Sequence, residues 1–344
     1  MPRRGWWFVA VLVLAITCQA SCSNDTEANG STTTSGTGGG GTAGTGGTGA
    51  TGGTGGMGAT GGAAGSGGVA GAGATGGGVP SGVQKIYWTD TGTHKIQRAN
   101  PDGTDVEDVV VGLEEPEQIA IDGLGGKIYW AERTTGPDSI RRADLDGSNV
   151  EHLITGLVGP RGIALDQPGG KVYWVELGPD RIQRANLDGS SVEELVLTDH
   201  PIAIALDLQN GEMFWTNEVP AVIYAASLDG SNAHEAVGGM TSPIDDPYGI
   251  TIDAYNGKLY WSDRGVPREI RRANLDGTAV EDVLVGGELV EPKALGVDAA
   301  GGKMYWVDET VGGVFRADLD GSNVEQIVTG LVEPPGLALL FEQP

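Results

Sequence analysis

Cysteine is nearly absent from this chain. Of 344 residues only Cys18 and Cys22 carry a thiol. The remainder can therefore hold no disulfide framework, no cysteine nucleophile and no cysteine-ligated zinc. Positive charge is also scarce: 21 Lys and Arg face 46 Asp and Glu, a net charge of −25. Such a chain repels phosphate backbones, which excludes nucleic acid as a main partner. The four histidines, His94, His152, His200 and His234, fall singly, without metal-ligand spacing. No Gly-x-Ser-x-Gly elbow or phosphate-binding loop is present. The sequence thus points to no catalytic residue, metal or cofactor.

Glycine is abundant, at 60 residues, and unevenly spread. From Gly30 to Gly82, 26 of 53 residues are glycine and most others are Thr, Ala or Ser. This stretch cannot bury a core, and as a flexible tether it would reach roughly 40 Å. Before it, two arginines precede the apolar run Trp6 to Ile16. That run is too short for a bilayer core of ~30 Å, which needs roughly 20 residues, and reads instead as an export signal. The segment Gln19-Ala20-Ser21-Cys22-Ser23-Asn24 resembles a bacterial lipobox, with Gln19 where that pattern prefers Leu. The resemblance implies lipidation at Cys22, with Cys18 a poorer match. It also implies a cell-envelope location, at the outer membrane or cell surface. The expected organisation is a signal at 1–21, a linker at 22–83 and one folded domain at 84–344.

Within that domain the aromatics count something. Tyr87-Trp88, Tyr129-Trp130, Tyr173-Trp174, Phe214-Trp215, Tyr260-Trp261 and Tyr305-Trp306 recur at intervals of 41 to 46 residues. Around each pair stand a Pro, an Asp six residues on, a turn, and after the pair Ile-x-Arg-Ala-Asx-Leu-Asp-Gly or a near variant. Each unit holds four short apolar runs separated by turn residues, none of helical length. That period with four strands predicts a blade, and six units predict an all-β, six-bladed propeller. The first aromatic unit lacks a preceding strand, and the last segment, Val332 to Pro344, has a strand with nothing after it. The C-terminal strand should therefore complete the blade of Trp88 and close the ring.

At Tyr87-Trp-Thr-Asp90 the repeat resembles the YWTD, or class B, repeats of the low-density-lipoprotein receptor family, which form six-bladed propellers. The resemblance covers all six units. It implies a non-catalytic binding module, and it implies that the acid of the motif hydrogen-bonds neighbouring blades. Here that position reads Asp90, Glu132, Glu176, Asn217, Asp263 and Asp308.

Alternating strands place uniform turns on one face and variable loops on the other, where binding usually sits. The candidate ligand-binding residues on those loops are Glu117, Arg133, Arg161, His200, Met240, Ile244, Tyr248, Arg264 and Lys293. The loop from Gly238 to Tyr248 either anchors a ligand through Met240, Ile244 and Tyr248 or packs on its own blade. The acidic balance favours a ligand bearing positive charge. Hairpin turns account for Asp-Leu-Asp-Gly better than a calcium loop does, since the glycine and glutamate spacing fails. Likewise, Asp122, Asp166, Asp207, Asp253 and Asp298 read as turn caps rather than as a channel cation site. Arg98, Arg142, Arg184, Arg272 and Arg316 recur once per blade, as inter-strand or inter-blade supports would. The expectation is a monomeric, lipid-anchored propeller that binds a protein or glycan. Two alternatives remain: a lyase or lactonase with a channel metal, and a spacer in an envelope assembly.

Overall fold

The structure, a computed structural model, describes residues 82–238 and 244–342. The export signal, Cys18, Cys22, the tether and Met240 lie outside the described residues.

The described chain forms six four-stranded antiparallel sheets. Blade one runs outward from Leu337–Phe341 through Val83–Asp90 and Lys95–Ala99 to Glu107–Val111. The other blades follow in chain order, each from its inner strand outward. Their inner strands are Glu115–Asp122, Pro160–Asp166, Pro201–Asp207, Pro247–Asp253 and Pro292–Asp298. Each inner strand packs against the next, and Leu337–Phe341 touches both the second and the sixth. The inner strands therefore form a closed ring, as the predicted propeller requires.

Burial explains why these sequences make blades. The inner strands of blades four, five and six are buried at every position, whereas the outermost strands are largely exposed or half-buried. The second strand of each blade carries the tryptophan, and all six indoles are at most 1% exposed. The turns follow the chemistry read from sequence. In the Asp-Gly turn of blade two, Gly147 adopts φ +83°, and Asp146 Oδ1 accepts from Ser148 N at 2.9 Å. At the inner hairpins, Asp122, Asp166 and Asp298 each accept the amide of a turn glycine at 2.7–2.8 Å. These carboxylates cap turns.

Closure has two parts. Leu337 to Leu340 pair antiparallel with Trp88 to Lys85, so the last strand completes the first blade. Second, the repeating arginines join neighbours. Arg98 donates to Leu145 O (2.9 Å), Arg142 to Leu187 O (2.6 Å), Arg184 to Leu228 O (2.9 Å) and Arg272 to Leu319 O (2.9 Å). Arg316 of blade six reaches Pro101 O of blade one at 2.8 Å and completes the circle. Blade four has Ala225 at this position and lacks the link.

The motif acid behaves differently from what the resemblance implies. Asp263 accepts the amides of Asp245 and Asp246, and Asp308 those of Val290 and Glu291, at 2.9–3.1 Å. Each acid thus grips the loop entering its own blade from the preceding one. The direct inter-blade bond comes from the residue before it. Thr89 Oγ1 donates to Glu117 O (2.7 Å), Thr216 Oγ1 to Tyr248 O (2.8 Å) and Ser262 Oγ to Lys293 O (2.7 Å). Ala131, Val175 and Val307 stand at this position in the other blades and offer no hydroxyl.

Candidate ligand-binding site

The inner strands begin on the face where the second strands end, and the variable loops gather there. A proline opens most inner strands, and the next residue stands at the mouth of the ring. Around the ring these residues are Glu117, Arg161, Ile202, Tyr248, Lys293 and Pro335. Local packing demands small neighbours beside them: a Cβ on Gly249 would fall 2.4 Å from Lys293 O. The inner strands therefore approach closely, and the side chains just above them converge.

They converge on a pocket of about 130 Å³ lined by Glu117, Arg133, Arg161, Tyr248, Lys293 and Glu309, with Thr91, Glu333 and Pro335 at its edge. At ~30 Å³ per water, this holds a few water molecules or one short polar side chain.

Most charges in the pocket are committed. Arg133 lies 2.7 Å from Glu117 Oε1 and 3.1 Å from Glu115, although its N–H is not aimed at Glu117. Lys293 pairs with Glu309 at 2.5 Å and Glu291 at 3.4 Å. Tyr248 is 3% exposed, with Lys293 Nζ 4.4 Å and the Arg264 guanidinium 4.6 Å from its ring centroid. Arg264 is itself held by Asp246 at 2.8 Å. Burial pushes the Tyr248 phenol up, so it remains a hydrogen-bond donor at neutral pH. Burial also raises the Glu117 carboxyl, against the opposing pull of Arg133, Arg161 and Lys293.

Arg161 stands apart. Its Nε is buried without a hydrogen-bond partner, and no ion pair within 4 Å involves it among the described residues. Glu333, at the exposed edge, also lacks an ion pair there. The pocket thus presents a guanidinium from within and a carboxylate at its rim.

Of the residues chosen from sequence, Glu117, Arg133, Arg161, Tyr248 and Lys293 meet in this pocket, and Arg264 supports Tyr248 from behind. Ile244 is 8% exposed and packs with Ile250 and Trp261 in a core cluster. Its part of the Gly238–Tyr248 loop therefore follows the packing alternative. His200 is exposed at the rim, its amide bonded to Asp180, and does not line the pocket. Glu309, directly after the motif acid Asp308 on one of the variable loops, joins the pocket lining.

A family model described as low-density lipoprotein receptor repeat class B matches residues 84–122 and 170–208. Two segments of the chain thus match class B repeats. The propeller superposes on a chain of a nidogen/laminin complex with a TM-score of 0.67 and 24% identity, covering 76% of this chain and 99% of that one. It also superposes on TolB from Acinetobacter baumannii, with a TM-score of 0.61 and 16% identity, covering 76% and 67%. At these identities the likeness is one of fold. No curated protein matches the sequence.

Proposed function

We propose that this class B propeller is a non-catalytic protein-binding module whose channel mouth accepts a carboxylate side chain of its partner. The observation that carries the reading is Arg161, a guanidinium with no carboxylate within 4 Å among the described residues, in a pocket where the neighbouring cations are paired. A guanidinium binds a carboxylate through two parallel hydrogen bonds, and the phenol of Tyr248 stands ready as a further donor. A ligand with positive charge, as composition suggested, would meet Glu333 at the rim but the guanidinium within.

The surrounding face suits a protein partner. Val158, Val219, Val266, Val290, Val311 and Val332 ring the mouth at 39–88% exposure. An apolar surround with a polar centre excludes water around a few strong contacts. The nidogen/laminin complex supplies the precedent of a like fold in a protein assembly.

Topology places the attachment point. Val83 pairs with Phe341 on the face opposite the pocket, so whatever precedes residue 82 joins the ring there. With lipidation at Cys22 and residues 22–83 as a flexible tether, the domain would stay near the membrane with the pocket face left free and no fixed orientation. The test is capture from envelope and extracellular fractions by the full chain, beside Arg161→Glu and a lower-face control, Tyr255→Ala. The reading expects a partner retained by the control and lost with Arg161→Glu. Equal recovery by all three would refute it.

A further inference from the structure

Blade four departs from its neighbours in charge. Between Pro201 and Gly238 the chain has five carboxylates, Asp207, Glu212, Glu218, Asp229 and Glu235, and no lysine or arginine. Part of the departure falls where the third strand faces the tryptophan, a position held by Gln97, Gln183 and Phe315 in blades one, three and six. In blades two and five that cross-strand residue is an arginine, Arg141 or Arg271, whose guanidinium lies 5.5 or 5.8 Å from the indole centroid. Arg271 also pairs with Asp282 on the outermost strand at 2.8 Å. In blade four the residue is Tyr224, stacked on Trp215 with ring centroids 5.5 Å apart and planes 19° from parallel.

Across from Tyr224 on the outermost strand stands Glu235, and Asp199 enters from the loop leading into the blade. Both carboxylates are exposed, both act on the Tyr224 phenol, and neither has an ion-pair or hydrogen-bond partner among the described residues. Beside Asp199 and Tyr224, against the outermost strand of the preceding blade, opens a pocket of about 210 Å³, larger than that at the channel mouth. Its walls include Leu197, which is 70% exposed, Asp199, and the edge of the Trp215–Tyr224 stack. In the same wall Thr198 Oγ1 accepts from the Trp215 indole N–H at 3.0 Å and from Asn217 Nδ2 at 3.1 Å, which holds the wall in place.

We propose that this rim pocket is a second recognition site, which takes an arginine side chain of a partner protein. The incoming guanidinium would stack against Tyr224 and donate to Asp199 and Glu235. It would thereby supply from outside the aromatic–guanidinium–carboxylate arrangement that blade five builds with its own residues. The aliphatic stem would lie along Leu197 and Val196. Arginine suits the site better than lysine because its charge is planar, less strongly hydrated and able to stack.

The test titrates the full chain with a blocked Gly-Arg-Gly peptide, its citrulline counterpart and its lysine counterpart. Arg161→Glu, Tyr224→Arg and Asp199→Asn variants are titrated in parallel. Tyr224→Arg places in blade four the residue that blades two and five already hold at this register, so an unchanged melting temperature is expected. Asp199→Asn alters an exposed side chain and gives a second variant of low structural cost. The arginine peptide should bind, the lysine peptide more weakly, and citrulline not measurably. Tyr224→Arg and Asp199→Asn should each weaken binding by about tenfold or more, whereas Arg161→Glu should leave it unchanged. Absence of binding by the unaltered chain would overturn the proposal. So would equal binding of citrulline, affinity unaffected by both blade-four changes, or loss of binding with Arg161→Glu. Binding of free arginine amide as tightly as the peptide would assign the pocket to a small guanidinium compound and reject a protein source.

Discussion

The hydroxyl of Ser262 bridges two blades at the pocket. It accepts the Gly249 amide at 2.8 Å and donates to Lys293 O at 2.7 Å, so blade five holds the residue that blade six extends into the site. Thr216 plays the same part for Tyr248, and Thr89 for Glu117. Three of the pocket's side chains therefore have their backbones fixed from the preceding blade. Ser262→Ala leaves a buried N–H and a buried C=O without this partner. It should lower stability by about 1–3 kcal/mol, measured by denaturant unfolding.

Ring closure is the second target. Removing residues 335–344 deletes the inner strand of blade one and exposes the edges on both sides of the gap. With a net stability of only about 5–15 kcal/mol typical of domains, the truncated chain should lose its single cooperative melting transition. Arg316→Ala, which cuts the bond to Pro101 O but keeps the strand, should cost about 1–2 kcal/mol while preserving cooperativity. Calorimetry distinguishes the two outcomes. Cooperative melting of the truncated chain at the original temperature would contradict closure by that strand.

Glu117 should give the protein a pH signature. Its carboxyl titrates above the usual range because burial outweighs the nearby cations. For an acid whose folded pKa is raised, the stabilising contribution is complete below the unfolded value and is lost as pH rises through the folded value. In Glu117→Gln this dependence disappears. The difference in melting temperature, variant minus unaltered chain, should therefore grow more positive from about pH 4.5 upward and level off above the raised value. A difference independent of pH would show that Glu117 does not titrate abnormally.

The membrane link is testable apart from the site. Cys22→Ala should release the protein from membranes into the soluble fraction in the native host, whereas Cys18→Ala should leave it attached. Fractionation with immunodetection checks this. Continued attachment of Cys22→Ala would place the anchor elsewhere.

The ring was legible because its rules are local. Six tryptophans at a period near 44 residues marked six second strands, and unmatched strands at the two ends predicted closure. Much of the pocket was legible for a related reason. A proline marks the start of an inner strand, so the sequence alone places Glu117, Arg161, Tyr248 and Lys293 at one mouth. Pairing was not legible. Whether Arg161 or Lys293 keeps a counter-ion depends on which loop swings over the channel, and Glu309 comes from the far end of a hairpin. Ile244 misled because an apolar residue in a long loop reads equally as an anchor or as core. The bonds from Thr89, Thr216 and Ser262 were hidden because their position in the motif tolerates Ala and Val. Only the fold shows that the hydroxyls coincide with the pocket.

The central claim is that the channel mouth binds its partner through Arg161. The most direct measurement is the affinity of the captured partner for the unaltered chain, for Arg161→Glu, and for Arg161→Glu combined with reversal of one acidic residue on the partner. The account predicts a loss of at least about a hundredfold in the single variant, near the 2–5 kcal/mol typical of a broken buried charge pair, and substantial recovery in one charge-reversed combination. Unchanged affinity of Arg161→Glu would contradict it.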